Sequence, residues 1–544
     1  MWFKFKLGLL SSFFVFAGLV APAAMAETCE GLAGVLLPNA TITVAESIAG
    51  GSFTPPGATT PQTGLPPFCR IAVTSTPTSD SLIKLEVWIP LGPSWNGRYQ
   101  QLGCGGFCGS INYGSLARAI RRGYAAAATD DGSQARGSAS FALGHPEKIV
   151  DFGYRALKET TDKAKALIAA FTGEPPQRSY FNGCSDGGRE ALMEAQRFPT
   201  DFDGIIVGAP ANAWTHLFAG FVWNEQALLK TPSSWIPPSL LPVLSKAALA
   251  QCSKQDPGVP GDLFLTAPSR CAFDPASVQC KAGQDPNTCL NPDQVSAARM
   301  IYGGPIDPLT GRSIFPGYEP GTESNPANWP LWITGKTPGG GLQQFFGNGF
   351  YAYFVFQDPT WNFRTFNFTT DLALADNGVG QVINSINPDL RPFSDHGAKM
   401  IHYHGWADSA IAGESSINYY NQVKDVVSTN QGRGNYTEVQ QFYRLFMVPG
   451  MAHCGGGDGP NAFGNGADAP VVDAEDDLLK ALERWVEQGV APDEIIATHY
   501  VNNNAANGVQ FQRPLCPFPE VPRLIGNGDP SNASSFKCVM DLPQ

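Results

Sequence analysis

The chain has 544 residues, 43% of them hydrophobic, and its 36 Lys and Arg against 48 Asp and Glu give a formal net charge of −12. This length and composition point to a large globular protein with a substantial core and more than one structural unit. The acidic balance argues against nucleic acid as a partner, because binding to phosphates needs an excess of basic side chains.

The first predicted element is a signal peptide at residues 1–26. A positively charged opening with Lys4 and Lys6 precedes an apolar run, and small residues at Ala24 and Ala26 favour cleavage after Ala26. An uncleaved anchor is the alternative, but no stop-transfer flank follows, and no later stretch is long and apolar enough for a transmembrane helix. We therefore expect an exported protein, secreted or periplasmic, with no membrane partner.

Strands and helices then alternate along much of the chain. Apolar runs predict strands at 70–75, 81–90, 99–103, 124–130, 178–183, 202–210 and 398–408. Helical spacing of apolar residues predicts helices at 149–170, 188–198 and 477–489. Such alternation is typical of the α/β class with a mostly parallel sheet.

The alternation disappears between residues 216 and 389. This segment carries four cysteines, many prolines and an aromatic block at 347–368. We interpret it as a lid inserted into one catalytic domain that is formed by 27–215 and 390–544.

All twelve cysteines follow the predicted cleavage site, and their even number is typical of disulfides formed in an oxidising compartment. Free or zinc-binding thiols are the alternative, but no CxxC is matched by an HxxxH. Connectivity stays open at this point, although short loops favour three pairs of neighbours, Cys252 with Cys271, Cys280 with Cys289, and Cys516 with Cys538.

A G-x-S-x-G pattern at 183–187 lies where a predicted strand runs into a predicted helix. In that setting the central residue, Ser185, sits on a sharp turn with its hydroxyl exposed, as a nucleophile requires. A purely structural strand-to-helix turn is the alternative.

A serine hydroxyl needs a base to accept its proton and an acid to orient that base. His453, in the Gly-rich loop VPGMAHCGGG, is the predicted base. Asp408, just after a predicted strand, is the predicted acid, and Asp425 and Glu414 are the weaker alternatives. Asp408 as a cap of the next segment is the structural alternative.

Cysteines stand directly beside both reacting residues, Cys184 before Ser185 and Cys454 after His453. A disulfide between them would bring their Cα atoms to roughly 5.5–6 Å. The serine and the histidine would then be held near hydrogen-bonding reach.

Acyl transfer also needs donors for the developing oxyanion. We expect one from the backbone N–H of Asp186 and another from the stretch GCGGFCG at 103–109, where Gly105 and Gly106 are the candidates. The stretch as a mere tight turn, clipped by Cys104 and Cys108, is the alternative. The stretch 103–109 lacks the GK[ST] ending that a phosphate-binding loop needs.

These motifs together resemble the tannase and feruloyl esterase family, which includes mono(2-hydroxyethyl) terephthalate hydrolase. The hallmark is a CS…D…HC arrangement, and QLGCGGFCGSI, GCSDGGREALMEAQRFPTDFDGIIVGAPA, WTHLFAGFVWNEQALL and YHGWADSAI also look like family segments. The resemblance implies an α/β-hydrolase fold with a lid over the site, and a Ser185, Asp408 and His453 triad. It also implies the disulfides Cys184–Cys454, Cys29–Cys69, Cys252–Cys271, Cys280–Cys289 and Cys516–Cys538.

By the same resemblance, the lid binds Ca²⁺ through a short acidic loop after its first cysteine, here within 252–265. The predicted ligands are the carboxylates of Asp256 and Asp262 and the carbonyls of Val259 and Phe264. Ser253 stands where the family usually has an aspartate, and an ordinary Asx, Pro and Gly turn is the alternative.

The expected substrate is a small ester of an aromatic acid, of plant-polymer origin, with hydroxycinnamoyl esters first. Tannase or terephthalate monoester hydrolase activity is the alternative, and a non-catalytic phenolic- or carbohydrate-binding protein is the more distant one. Tyr351, Trp361 and Phe366 of the aromatic block are candidates for stacking on the acyl group, with lid core as the alternative for all three. Nothing in the sequence indicates an oligomeric state.

Overall fold

The computed structural model describes Met1 and residues 26–428, 435–466 and 473–541. Residues 2–25 of the predicted signal peptide lie outside the described residues. Within the described ranges, none of the helices combines the length and the apolar character needed to cross a membrane.

The described chain forms fifteen strands. They are β1 (Ala40–Ile48), β2 (Gly51–Phe53), β3 (Gln62–Leu65), β4 (Phe68–Ser75), β5 (Ile83–Pro90), β6 (Arg98–Leu102), β7 (Ala125–Thr129), β8 (Arg178–Cys184), β9 (Gly204–Gly208), β10 (Lys399–Gly405), β11 (Tyr443–Val448), β12 (Ile495–Tyr500), β13 (Val509–Leu515), β14 (Glu520–Leu524) and β15 (Phe536–Met540).

Nine of these strands form one sheet in the order β1-β4-β5-β7-β6-β8-β9-β10-β11. Pairing is parallel from β7 to β11 and antiparallel among β1, β4, β5 and β7. The other six pair as β2–β3, β12–β13 and β14–β15. All seven predicted strands are confirmed. The sheet is mostly parallel, as predicted, and becomes mixed at one edge, where β1, β4 and β5 pair antiparallel.

The described chain also contains fourteen α-helices. They are α1 (Tyr113–Arg121), α2 (Pro146–Val150), α3 (Ala156–Thr172), α4 (Asp186–Arg197), α5 (Trp214–Leu228), α6 (Leu241–Cys252), α7 (Pro292–Gly303), α8 (Trp329–Trp332), α9 (Leu342–Gly349), α10 (Thr370–Asn377), α11 (Gly380–Ile383), α12 (Arg391–Asp395), α13 (Glu414–Val427) and α14 (Leu478–Gln488). A π-helical turn at Asp151–Arg155 joins α2 to α3, and another at Phe350–Val355 extends α9.

Successive residues of the central strands face opposite sides of the sheet, because side chains alternate along a strand. Ile205 and Ile206 of β9 accordingly lie in two different buried clusters. Every residue of β7 and β9 is buried and only Thr129 is polar, which fits strands that are covered on both faces. The predicted α/β class is confirmed.

The segment 216–389 is helical and contributes no strand to the nine-stranded sheet. Its buried aromatic residues other than Phe264 form one continuous cluster with Phe107, Phe141 and Phe152, which lie outside the segment. The proposed boundary between residues 215 and 216 falls inside α5, so the helix itself leads from the sheet into the lid. The domain limits stay a prediction.

Candidate active site

Ser185 lies on a sharp turn between β8 and α4. Its backbone angles are φ 68° and ψ −121°, a conformation that non-glycine residues rarely adopt and that is found mainly at functional sites. The surrounding packing holds this turn in place. A Cβ atom on Gly183 would approach the Gly187 carbonyl oxygen to 2.2 Å, and one on Gly187 would approach the Cys104 carbonyl oxygen to 2.8 Å. Glycine at these positions therefore allows the strand and helix to meet closely.

The structure brings the predicted serine, histidine and aspartate into one hydrogen-bonded row. The Ser185 hydroxyl lies 2.9 Å from His453 Nε2, and His453 Nδ1 lies 2.7 Å from Asp408 Oδ2. Asp408 is buried and His453 only partly exposed. A neutral imidazole with its proton on Nδ1 satisfies both contacts, since it donates to the carboxylate and accepts from the hydroxyl.

Asp408 is held by backbone donors as well as by histidine. Its Oδ1 accepts hydrogen bonds from the N–H groups of Ala410 (2.8 Å) and Ile411 (2.9 Å). Burial alone would raise the pKa of Asp408, but the charge of His453 and hydrogen bonds from His404 and His453 lower that pKa below its ordinary value. The carboxylate is therefore ionised at neutral pH, as an orienting acid must be.

Six pairs of cysteines lie at disulfide distance, and they comprise all twelve cysteines of the chain. The pairs are Cys29–Cys69, Cys104–Cys108, Cys184–Cys454, Cys252–Cys271, Cys280–Cys289 and Cys516–Cys538. Cys184 and Cys454 have Cα atoms 6.0 Å apart. This bond joins the residue before the serine to the residue after the histidine.

Removing this bond in a Cys184→Ala/Cys454→Ala double variant should lower kcat for ester hydrolysis by about tenfold, because the serine and histidine loops lose their covalent link. The variant should also have a lower Tm, since a disulfide that closes so long a loop stabilises the fold by about 3 kcal/mol or more. Only one hydrogen bond would then join the serine and histidine loops. The measurements are steady-state kinetics and thermal unfolding. The matched control is Cys280→Ala/Cys289→Ala, which opens a short loop in the lid and should leave kcat unchanged. Equal kcat in both variants would contradict a role of the bond in the site.

The backbone beside Ser185 offers candidates for oxyanion donors. Asp186 begins α4, so its N–H has no partner within the helix. Gly106 lines the same pocket as Ser185 and Asp186, with φ at 60°, whereas Gly105 is not among the lining residues. Of the two glycines that the sequence left open, the structure thus places Gly106 at the pocket.

An aromatic pocket opens beside Ser185. It is lined by Gly106, Ser185, Asp186, Ala211, Trp214, Leu217, Phe218, Phe221, Trp332, Phe346, Ala410 and Ile411. Helix α5 supplies one wall, and α8 and α9 supply the other. Trp332 also packs edge-on against His453, with ring centroids 5.1 Å apart. The segment 216–389 therefore contacts the histidine directly.

The three aromatic residues predicted to bind substrate do not lie at this pocket. Tyr351 is fully buried, its hydroxyl donates to the Thr215 carbonyl at 2.9 Å, and its ring packs on Phe366 with centroids 4.4 Å apart. Trp361 packs on Tyr351 in the same cluster. Their placement is the predicted alternative for all three, because they pack in the buried aromatic cluster of the segment 216–389 rather than along the pocket.

Sequence reasoning missed the residues that do form the pocket walls. Trp214, Phe218 and Phe221 recur at the spacing of one helical face just after β9, a signal that could have been found. Trp332 and Phe346 carry no such signal, because their approach to Ser185 depends on how the lid packs.

Three buried carboxyl groups, those of Asp131, Asp186 and Glu190, lie beside the loop 103–109, which carries Gly106. Asp186 pairs with Arg189, which is also fully buried and hydrogen-bonds to the carbonyls of Phe152 and Gly153. Burial raises the pKa of Glu190 to about 7, helped by the charge of Asp186. Glu190 Oε2 accepts the Cys104 backbone N–H at 3.2 Å. This group therefore anchors the loop that carries Gly106.

Together with the Cys104–Cys108 sulfurs, these carboxyl groups form a cluster of residue types that can hold a metal ion. The sulfurs are joined to each other, so only the carboxylates are available as ligands, and Arg189 already supplies a positive charge there.

The loop predicted to bind calcium uses its oxygens differently. Asp256 accepts the backbone N–H groups of Gly258, Thr266 and Ala267. Asp262 lies 3.7 Å from Arg513, the Val259 carbonyl accepts the Asp262 N–H, and Phe264 is buried against Phe511. Both carboxylates thus have protein donors, and a guanidinium stands where a cation would bind. The residues as arranged do not fit an open calcium cage.

Comparison with known proteins finds similarity across nearly the whole chain. The model of a family described as tannase and feruloyl esterase matches residues 69–539. An uncharacterized esterase of Xanthomonas campestris pv. campestris is 41% identical, over 98% of this chain and 95% of that protein. Feruloyl esterase C of Talaromyces stipitatus is 31% identical, over 94% of each.

Two solved structures are similar in fold over the same extent. Feruloyl esterase B from Aspergillus oryzae has a TM-score of 0.83 and 30% identity, over 94% of this chain and 99% of that one. Tannin acyl hydrolase from Aspergillus niger has a TM-score of 0.74 and 25% identity, over 93% of each. The expected α/β-hydrolase fold is confirmed by these likenesses.

Proposed function

This chain belongs to the tannase and feruloyl esterase family and is a carboxylic ester hydrolase, and from that premise we propose that it cleaves esters of aromatic carboxylic acids with Ser185 as nucleophile. His453 acts as the base and Asp408 as the acid that orients it. The observation that carries the proposal is the unbroken row of hydrogen bonds from Ser185 through His453 to Asp408, at the mouth of an aromatic pocket.

In the first step, Ser185 Oγ attacks the ester carbonyl carbon while His453 Nε2 takes the hydroxyl proton. The imidazolium that forms is stabilised by the ionised Asp408, whose position is fixed by two backbone N–H groups. The N–H groups of Asp186 and Gly106 stabilise the oxyanion. His453 then gives its proton to the leaving alcohol, and the acyl group stays on Ser185.

In the second step, water takes the place of the alcohol. His453 accepts a proton from the water, the resulting hydroxide attacks the acyl carbon, and the proton passes to Ser185 as the acid leaves. The packing of Trp332 against His453 supports this role, since it restrains the imidazole on its lid side.

The pocket lining favours hydroxycinnamoyl esters over the alternatives. Apart from the polar residues Ser185 and Asp186, its side chains are apolar, and the Asp186 carboxylate is paired with Arg189. A terephthalate monoester would bring a second carboxylate into this surface without a cation, and a galloyl group would bring three hydroxyls. Both groups lose hydration without gaining partners, which costs binding energy.

We therefore expect kcat/KM for methyl ferulate to exceed that for mono(2-hydroxyethyl) terephthalate by about tenfold or more, since an unpaired buried polar group costs about 1–3 kcal/mol. Methyl gallate should fall between the two. Product release by purified mature protein, followed by chromatography, measures all three. Preference for the terephthalate monoester would instead favour that alternative, and no hydrolysis of any ester would favour the non-catalytic one.

We also propose that the protein is exported, secreted or periplasmic. Six disulfides support this, because such bonds form and persist in oxidising compartments. The proposed lid is the segment 216–389, whose residues Trp332 and Phe346 cover the site.

Calcium has no step in the proposed reaction. The Asp262 carboxylate faces Arg513, and the Asp256 carboxylate accepts three backbone N–H groups. We therefore expect that neither EDTA nor added CaCl₂ changes the Tm measured by thermal unfolding or the kcat for methyl ferulate. A rise in Tm with CaCl₂ that disappears in Asp262→Asn would contradict this and support the family-type site.

A further inference from the structure

A second set of polar side chains lies behind Asp408, on the side away from Ser185. His402 and His404 stand two residues apart on β10 and therefore project from the same face of the strand. Both are fully buried, as are Ser416 of α13 and Tyr443 of β11. The reaction described above uses none of these four residues, although buried polar groups are costly unless they are paired.

These four side chains form a continuous hydrogen-bonded chain that ends at the Ile411 carbonyl, beside Asp408. The Tyr443 hydroxyl lies 2.7 Å from His402 Nδ1, and His402 Nε2 lies 2.8 Å from Ser416 Oγ. Ser416 Oγ lies 2.6 Å from His404 Nδ1. His404 Nε2 then lies 2.9 Å from the Ile411 carbonyl oxygen and 3.3 Å from Asp408 Oδ2.

With both histidines neutral, only one arrangement of protons satisfies this chain. The Ile411 carbonyl can only accept, so His404 carries its proton on Nε2 and accepts at Nδ1. Ser416 must then donate to His404, and His402 must donate to Ser416. His402 Nδ1 in turn accepts from Tyr443. Burial and the neighbouring His404 lower the pKa of His402 well below its ordinary value, which agrees with a neutral ring.

Every donor in the chain therefore points toward Asp408. The carboxylate receives the Ala410 and Ile411 N–H groups on Oδ1 and the His453 N–H on Oδ2. His404 Nε2–H, whose shorter partner is the Ile411 carbonyl, makes a longer contact of 3.3 Å with Oδ2. The Tyr318 hydroxyl, which donates to the Ala410 carbonyl at 3.1 Å, is the further titratable group nearby, and burial with the Asp408 charge raises its pKa. His404 thus brings to Oδ2 an N–H group that does not belong to a reacting residue.

We propose that His404 is a positioning residue of the esterase, and that Ser416, His402 and Tyr443 hold its Nε2–H toward Asp408. The positive end of the His404 N–H dipole, 3.3 Å from Oδ2, holds Oδ2 in line with His453 Nδ1 and partly offsets the carboxylate charge. It thereby sets how strongly Asp408 stabilises the imidazolium. This role rests on the proposed function of Ser185, Asp408 and His453.

Ser416→Ala tests the chain with the loss of a single oxygen. Without the Ser416 hydroxyl, His404 Nδ1 loses its donor, and the ring is free to turn so that its Nε2–H bonds the Ile411 carbonyl and no longer faces Asp408. We expect kcat for methyl ferulate to fall by about tenfold, with KM nearly unchanged. The acid limb of the kcat/KM profile should move to higher pH, because a less satisfied carboxylate stabilises protonated His453 more. Ser415→Ala is the matched control, since that buried hydroxyl has no hydrogen-bond partner in the described chain, and it should match the wild type.

Substitutions at His404 and Tyr443 separate positioning from packing. His404→Leu should reproduce the loss of kcat and the shifted acid limb, whereas His404→Gln, which keeps an N–H donor at the same reach, should recover most of both. Tyr443→Phe, at the far end, should shift the acid limb least. An acid limb at the wild-type pH in folded Ser416→Ala and His404→Leu would overturn the proposal, even if Tm falls. Full activity of Ser185→Ala would instead overturn the proposed function, so the two failures are distinguishable.

Discussion

Replacing Ser185 with alanine should lower kcat for methyl ferulate by about 10⁵-fold or more, to the level set by pocket binding and the oxyanion donors alone. Among the described residues, the Ser185 hydroxyl is the one group within hydrogen-bonding distance of His453 Nε2, at 2.9 Å, that can carry the acyl intermediate. No other hydroxyl or thiol is among the residues that line the pocket. The variant should still bind substrate, so KM or the Kd for ferulate should change little.

The protein should remain folded after this substitution, because the Ser185 turn is held by backbone packing rather than by the hydroxyl. A Cβ is retained, and the close approaches at Gly183 and Gly187 are unaffected. Thermal unfolding checks this, and Ser415→Ala controls for loss of a buried hydroxyl elsewhere. Hydrolysis of methyl ferulate at a rate near the wild type by purified Ser185→Ala would refute the mechanism.

Replacing Asp408 with asparagine should lower kcat by about 10⁴-fold through the wrong tautomer of His453. Two backbone N–H groups, from Ala410 and Ile411, bond the Oδ1 position, so the amide oxygen must stay there. The amide NH₂ then faces His453 Nδ1 and donates to it. His453 consequently carries its proton on Nε2, where it points at Ser185 and cannot accept the hydroxyl proton.

The measurement is single-turnover kinetics of methyl ferulate across pH. Asp477→Asn is the matched control, because Asp477 is buried like Asp408. The Asp477 carboxylate pairs with Arg122 and caps the start of α14, and it does not orient His453. It should lower Tm and leave kcat within about twofold of the wild type. A kcat for Asp408→Asn within tenfold of the wild type would show that tautomer control by Asp408 is not needed.

Both serine and aspartate could be placed from sequence because they follow strands. β8 ends at Cys184 and β10 at Gly405, and one strand separates them in the sheet. Carboxyl ends of parallel strands share one edge, so residues just after them meet. His453 was found by its loop composition and by its cysteine, without prediction of β11, the strand that leads to it.

The pocket walls and the loop at Asp256 could not be placed in this way. Trp332 and Tyr351 both lie in the segment 216–389, yet one contacts His453 and the other is buried in the aromatic cluster. Composition does not distinguish them, since both are large and mostly apolar. Likewise Arg513 reaches Asp262 from β13, and no local pattern around either residue records that approach.

The bond between Cys184 and Cys454 links the assembly of the site to where and when the chain is made. Ser185 leaves the ribosome 268 residues before His453, so a partly synthesised chain has a nucleophile and no base. Even the finished chain, while in a reducing compartment, holds the two loops together without a covalent tie. With the proposed export, oxidation would complete the site only after the chain has left the reducing compartment, which would keep the fully assembled form away from the cytoplasm.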